Sequence, residues 1–230
     1  MRGVGLTAGL LLAGCGGEGS WALSVRSERA SVGLSTAEFE DGCAVVFDTF
    51  VLNIEEADLV DEDGVSAGGI GLPSRVDLVD AEVVEVATIP VAAGRSASVS
   101  LQLGGGGIPA LSTTGYVSCR SGTVAFDWAF DERRKLSCPA DELDIPDKGE
   151  GSTQLEAPVE TLFVDGTNPN SQQLLGEPFV EADANHDGEL GMAELDAAIA
   201  GEFPLGDLMR VRVDGLVRSE GGVVCARAGG

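Results

Sequence analysis

From Trp21 to Val164 short apolar runs follow one another, broken by glycine, proline and acidic turns, with no helical period among them. Segments that short bury little surface by themselves and are stable only when paired side by side as strands. "TVAFDWAF" (123–130) alternates, with Val124, Phe126, Trp128 and Phe130 on one side and Thr123 and Asp127 on the other. "AVVFDTFVLNI" (44–54) is apolar on both faces and rich in branched and aromatic residues, as a central strand is. Further strands are predicted at 83–89, 97–103, 114–119, 134–138 and 157–164, with turns at "DEDG" (61–64) and "LGGGG" (103–107). The expected fold is mainly β, with an antiparallel β-sandwich or barrel-like body.

After Val164 the texture changes. "DGTNPN" (165–170) reads as a linker, and from Gln172 to Ala200 the apolar spacing becomes helical. Leu174, Leu175, Phe179 and Ala182 lead into an acidic loop, and Leu195, Ala198 and Ile199 leave it. Pro178 suits the start of the incoming helix and Gly201 the end of the outgoing one. The chain then divides into a leader (1–14), a tether and N-terminal segment (15–36), the β body (37–166), a helix-loop-helix (167–203) and a tail packed on the body (204–230). For the tail, helix and strand both remain open.

The acidic loop is "DANHDGELGMAE" (183–194). A hard cation such as calcium takes six to eight oxygens at about 2.3–2.6 Å, more than one or two side chains supply. Here Asp183, Asn185 and Asp187 alternate toward one centre and Gly188 permits the sharp turn between. Glu189 offers its backbone carbonyl, Gly191 leaves a vertex for water, and Glu194 closes the sphere with two oxygens. The loop resembles the EF-hand family at each position that family prescribes, and the resemblance covers residues 175–200. It implies Ca2+ held by Asp183, Asn185, Asp187, Glu189 and Glu194, with Leu190 turned into the protein and His186 toward water. One copy, rather than a pair, implies a structural staple instead of a calmodulin-like switch.

The first residues, "MRGVGLTAGLLLAGC", combine a positive start with an apolar run shorter than the about 20 residues that span a bilayer. Leu12-Ala13-Gly14-Cys15 resembles the lipobox of bacterial lipoproteins. The resemblance implies cleavage before Cys15, acylation of its thiol, a membrane anchor, and "GGEGS" (16–20) as a flexible tether. Export to the cell envelope gives the four remaining cysteines, Cys43, Cys119, Cys138 and Cys225, an oxidising setting and two disulfides. Three pairings are possible. Closeness in sequence favours Cys119 with Cys138, which leaves Cys43 with Cys225. With no C-x-x-C pair and a single histidine, zinc is a poor use for these thiols.

A net charge of −24 opposes nucleic acid and anionic lipid as partners. No nucleophile elbow, phosphate loop or catalytic histidine pairing stands out, so the chain is not expected to be an enzyme. The order of lipobox, β body, single EF-hand and cysteine-bearing tail resembles uncharacterised lipoproteins of bacterial cell envelopes. The expected role is calcium binding at the membrane surface. The alternatives are a carbohydrate- or protein-binding adhesion module or a carboxylate-based hydrolase; Trp21 and Trp128 could line a sugar site, but they read better as core residues. If Cys15 carries the anchor, the wild type labels with a fatty-acid analogue and partitions into detergent, whereas Cys15→Ala does neither; equal labelling of the two proteins removes the anchor.

Overall fold

The computed structural model describes residues 17–71, 74–165 and 172–228. The leader, Cys15 and residues 166–170 of the linker lie outside the described residues. In chain order, β1 (Glu18–Arg26) and α1 (Glu28–Val32) precede β2 (Ala44–Val60), β3 (Ser66–Ile70), β4 (Ser74–Asp77) and β5 (Val83–Ala92). There follow β6 (Gly94–Leu103), β7 (Leu111–Ser118), β8 (Thr123–Phe130), β9 (Arg134–Ile145) and β10 (Glu150–Glu156). A 3-10 turn (Val159–Phe163) leads to α2 (Glu177–Glu181), β11 (Glu189–Gly191) and α3 (Met192–Ala197). The chain ends through β12 (Ile199–Ala200), β13 (Phe203–Pro204), α4 (Leu205–Asp214), β14 (Arg218–Ser219) and β15 (Ala226–Arg227).

The protein is mainly β with a small helical portion, and its strands form open sheets rather than a closed barrel. The larger sheet runs β11-β8-β7-β2-β6-β9-β15, with β3 and β4 also paired to β2, and the smaller runs β14-β10-β1-β5. As its two apolar faces predict, β2 is central; Phe50, Val51 and Leu52 are all buried. In β8 the residues Val124, Phe126, Trp128 and Phe130 are buried and Thr123 and Asp127 exposed, as the alternation requires. Burial joins both sheets and the helical part in one hydrophobic cluster, from Trp21 and Leu23 through Phe50 and Trp128 to Phe179, Leu195 and Met209.

Several expectations are corrected. The sheets are mixed rather than antiparallel: β1 pairs β10 in parallel, and β11 pairs β8 in parallel. The stretch expected to be a tether is strand from Glu18 onward, since Trp21, Leu23 and Val25 alternate into the core and hold β1 between β10 and β5. Residues 157–164 are not a strand. Val159, Leu162 and Phe163 bury themselves at helical spacing, and the chain winds into a 3-10 turn after Pro158. The outgoing helix ends at Ala197, where Ala198 is already extended, and Gly201 (φ 65°) instead turns the β12–β13 ribbon. The tail holds both a helix and short strands.

The disulfides are Cys43–Cys119 and Cys138–Cys225, not Cys119–Cys138 and Cys43–Cys225. Register explains them. Ala44 faces Ser118 across β2–β7, and Ser137 faces Ala226 across β9–β15. One step further along each ladder puts Cys43 opposite Cys119 and Cys138 opposite Cys225, with Cα atoms 4.2 and 4.3 Å apart. Directly opposed residues of an antiparallel pair approach to about 4.5 Å, within disulfide reach. Cys119 and Cys138 sit near in sequence, but β2 and β6 lie between their strands. Peptide mapping without reduction is expected to recover the 43–119 and 138–225 pairs; a peptide joining 119 to 138 would overturn this register.

Candidate metal loop and its seat on the sheet

The approach to the loop is fixed before the loop begins. Asp41 Oδ2 accepts the Gly176 and Glu177 backbone N–H groups at 2.7 and 2.8 Å, satisfying donors that the start of α2 leaves without helical partners. Gly176 lies against the Cys43–Cys119 bridge, so closely that a Cβ there would stand 2.5 Å from that of Cys43. Phe179, buried on α2, packs its ring on Phe163 and Trp128 at centroid distances of 5.0 and 5.6 Å. The entry helix has little freedom.

Within the loop the acidic side chains fold back on the backbone. Asp183, itself buried, accepts the N–H groups of Asp187 and Gly188 at 3.2 and 3.0 Å. Asn185 Oδ1 shares the Asp187 N–H at 2.8 Å, and Asp187 Oδ1 accepts that of Glu189 at 2.9 Å. His186 (φ 57°) and Gly188 (φ 83°) take left-handed conformations, the second where the chain turns most sharply. His186 is exposed, as its position in the loop implies. The side chains at 183, 185 and 187 therefore all turn back onto the backbone of residues 187–189. Glu194 stands in the first turn of α3 and reaches back to the Gly191 N–H at 3.3 Å. Asp183, Asp187 and Glu194 do not draw within 4.8 Å of one another; among the described residues only Cys43, Cys119 and Glu177 form such a group, and the disulfide takes both sulfurs out of ligand chemistry.

The loop's exit is seated on the large sheet. β11 adds itself to β8 with Leu190 opposite Phe126, and Leu190 is buried. The Ala125 N–H donates to the Gly188 carbonyl at 2.8 Å, and Trp128 Nε1 donates to the Leu190 carbonyl at 3.0 Å. Successive carbonyls of an extended chain point to opposite sides. Because those of 188 and 190 face β8, the Glu189 carbonyl faces away from that strand. Beyond the loop, Arg210 grips Asp196 with both nitrogens at 2.7 and 2.9 Å, tying α4 to α3. That hydrogen bond holds the Asp196 carboxyl below its ordinary range and raises the Arg210 guanidinium.

Of the residues singled out by sequence, Asp183, Asn185 and Asp187 accept N–H groups of residues 187–189, the Glu189 N–H donates to Asp187, and Glu194 accepts from the Gly191 N–H. Asp41 and Trp128 carry weight in this site that the sequence did not reveal. Trp128 read as a core residue, and nothing in its alternating strand marks the Nε1 bond; Asp41 lies far from the loop in sequence. Comparison with family models, curated proteins and solved structures finds no match to the chain.

Trp128→Phe keeps the ring and deletes the donor, leaving the Leu190 carbonyl without that bond. The expected loss is about 1–3 kcal/mol in chemical denaturation. An unchanged midpoint would show that the bond does not hold the loop.

Proposed function

We propose that the chain is a calcium-binding protein of the bacterial cell envelope, lipid-anchored through Cys15, in which one ion held by residues 183–194 acts as a structural staple. The observation that supports the reading is that Asp183, Asn185 and Asp187 all turn their oxygens onto the loop's own N–H groups, at 2.8 to 3.2 Å. This donor set is all oxygen and largely anionic, the chemistry calcium prefers. Glu194 completes it by leaving the Gly191 N–H, a weak partner at 3.3 Å. Export and anchoring rest on the Cys15 motif, and the two disulfides suit an oxidising compartment. No described helix is long and apolar enough to cross a membrane.

A staple suits this geometry better than a switch. EF-hand switches work by opening a paired unit, and here the strand of the loop is spent on β8. With calcium near 1 mM and a dissociation constant near 0.1 mM, occupancy adds about 1.4 kcal/mol. Against the adhesion alternative, Trp21 and Trp128 are both fully buried and offer no exposed platform.

Titration calorimetry should find one calcium per chain and much weaker magnesium. Glu194→Gln should weaken binding most, by about tenfold or more, with Asp183→Ala close behind and His186→Ala nearly silent. Calcium should raise the melting temperature of the wild type and not of Glu194→Gln. No uptake at millimolar calcium would end the proposal.

A further inference from the structure

A cavity of about 530 Å³ opens between the 3-10 turn, α2, α3 and α4. Small-molecule sites typically occupy about 300–1,000 Å³. Phe163, Phe179, Ala182 and Leu205 give it a buried apolar lining, with Leu175 and Leu208 half-buried on its walls. The lining holds one cation, Arg212 of α4. Its Nη1 donates to the Leu162 carbonyl at 2.6 Å, which fixes the guanidinium at the wall.

We propose that this cavity binds an apolar chain ending in a carboxylate, with the chain between α2 and α4 and the carboxylate on Arg212. A guanidinium presents a planar fork that matches a carboxylate, and the match strengthens away from water. Burial lowers the Arg212 guanidinium to about 10 even though Asp165 pulls the other way, so its surroundings return less to the cation than water would. Asp165, Glu181 and Glu194 also line the cavity and oppose an anion, with Asp165 close enough to act on Arg212 itself. Glu181 is exposed and acts through water, and Glu194 is at the loop end, whereas Arg212 acts from a drier position. An apolar chain also covers surface that would otherwise meet solvent, each buried methylene contributing about 0.8 kcal/mol. The carboxylate has two possible sources, a free fatty acid or the C-terminus of an apolar peptide.

The full chain is titrated with dodecanoate, dodecanol, dodecylamine, and a short leucine-rich peptide with a free or an amidated C-terminus. One dodecanoate or one free-acid peptide is expected per chain, at least about tenfold tighter than the matching uncharged or amine probe. Whichever acid binds tighter names the source. Arg212→Leu should erase the preference for the acid, Arg212→Lys should keep part of it, and Ala198→Phe, which fills the cavity, should abolish binding. Should Arg212→Leu fail to fold, the other two variants still decide the matter. Glu194→Gln should retain acid binding, which separates failure here from failure of the calcium site. Acid bound no better than amine, or acid preference unchanged in Arg212→Leu and Arg212→Lys, overturns the proposal.

Discussion

The parallel junction between residues 189–191 and β8 is the contact on which the arrangement of this protein depends. A sheet edge carries a row of unpaired donors and acceptors that invites association with other chains. Of the four strands that terminate the two sheet orders, three come from the last part of the chain: β11 on β8, β14 on β10 and β15 on β9. Each is only two or three residues long, and each is held by something other than its own ladder. Trp128 and the buried Leu190 hold β11, the Cys138–Cys225 bridge holds β15, and the turn through Ser219 and Val223 holds β14. The C-terminal third is thus a strap around a body that would otherwise present open edges.

The same contact supports the 183–194 loop without a second loop beside it. A short loop strand by itself is marginal, and in a paired arrangement a second loop would supply its partner. Here the edge of β8 supplies it, and the aromatic cluster of Phe126, Trp128, Phe163 and Phe179 packs behind it. The helices gain stability in the same way. At five and six residues, α2 and α3 are too short to persist alone, so tertiary packing rather than propensity makes them. Asp41, Gly176 and the disulfide beneath them set the entry angle, and the Asp196–Arg210 pair sets the exit.

The parts of the fold legible in the sequence are those specified by neighbours in the chain. The alternation in 123–130 and the doubly apolar run at 44–54 each report their burial directly, because side-chain direction has a fixed period in a strand. The spacing within 183–194 is likewise local, and the turning of Asp183, Asn185 and Asp187 onto the backbone of the same loop follows from it. What stayed hidden is non-local. The pairing of Trp21 with Gly151 and Ile89 joins distant segments, and no local period encodes it. The cysteine pairs follow from register between strands, so nearness in sequence pointed to the wrong partners. Residues 157–164 misled for another reason: Val159, Leu162 and Phe163 sit at a spacing that branched and aromatic content disguised as strand.

The Cys138–Cys225 bridge also encloses most of the second half of the chain, its ends 87 residues apart in sequence, with the acidic loop and α4 inside the ring. A peptide bond cut anywhere within that ring leaves the fragments covalently joined. A single nick between the two cysteines would therefore pass unnoticed in size and release no fragment. The two pieces would part only after thiol reduction, and the severed chain would still carry its strap in place.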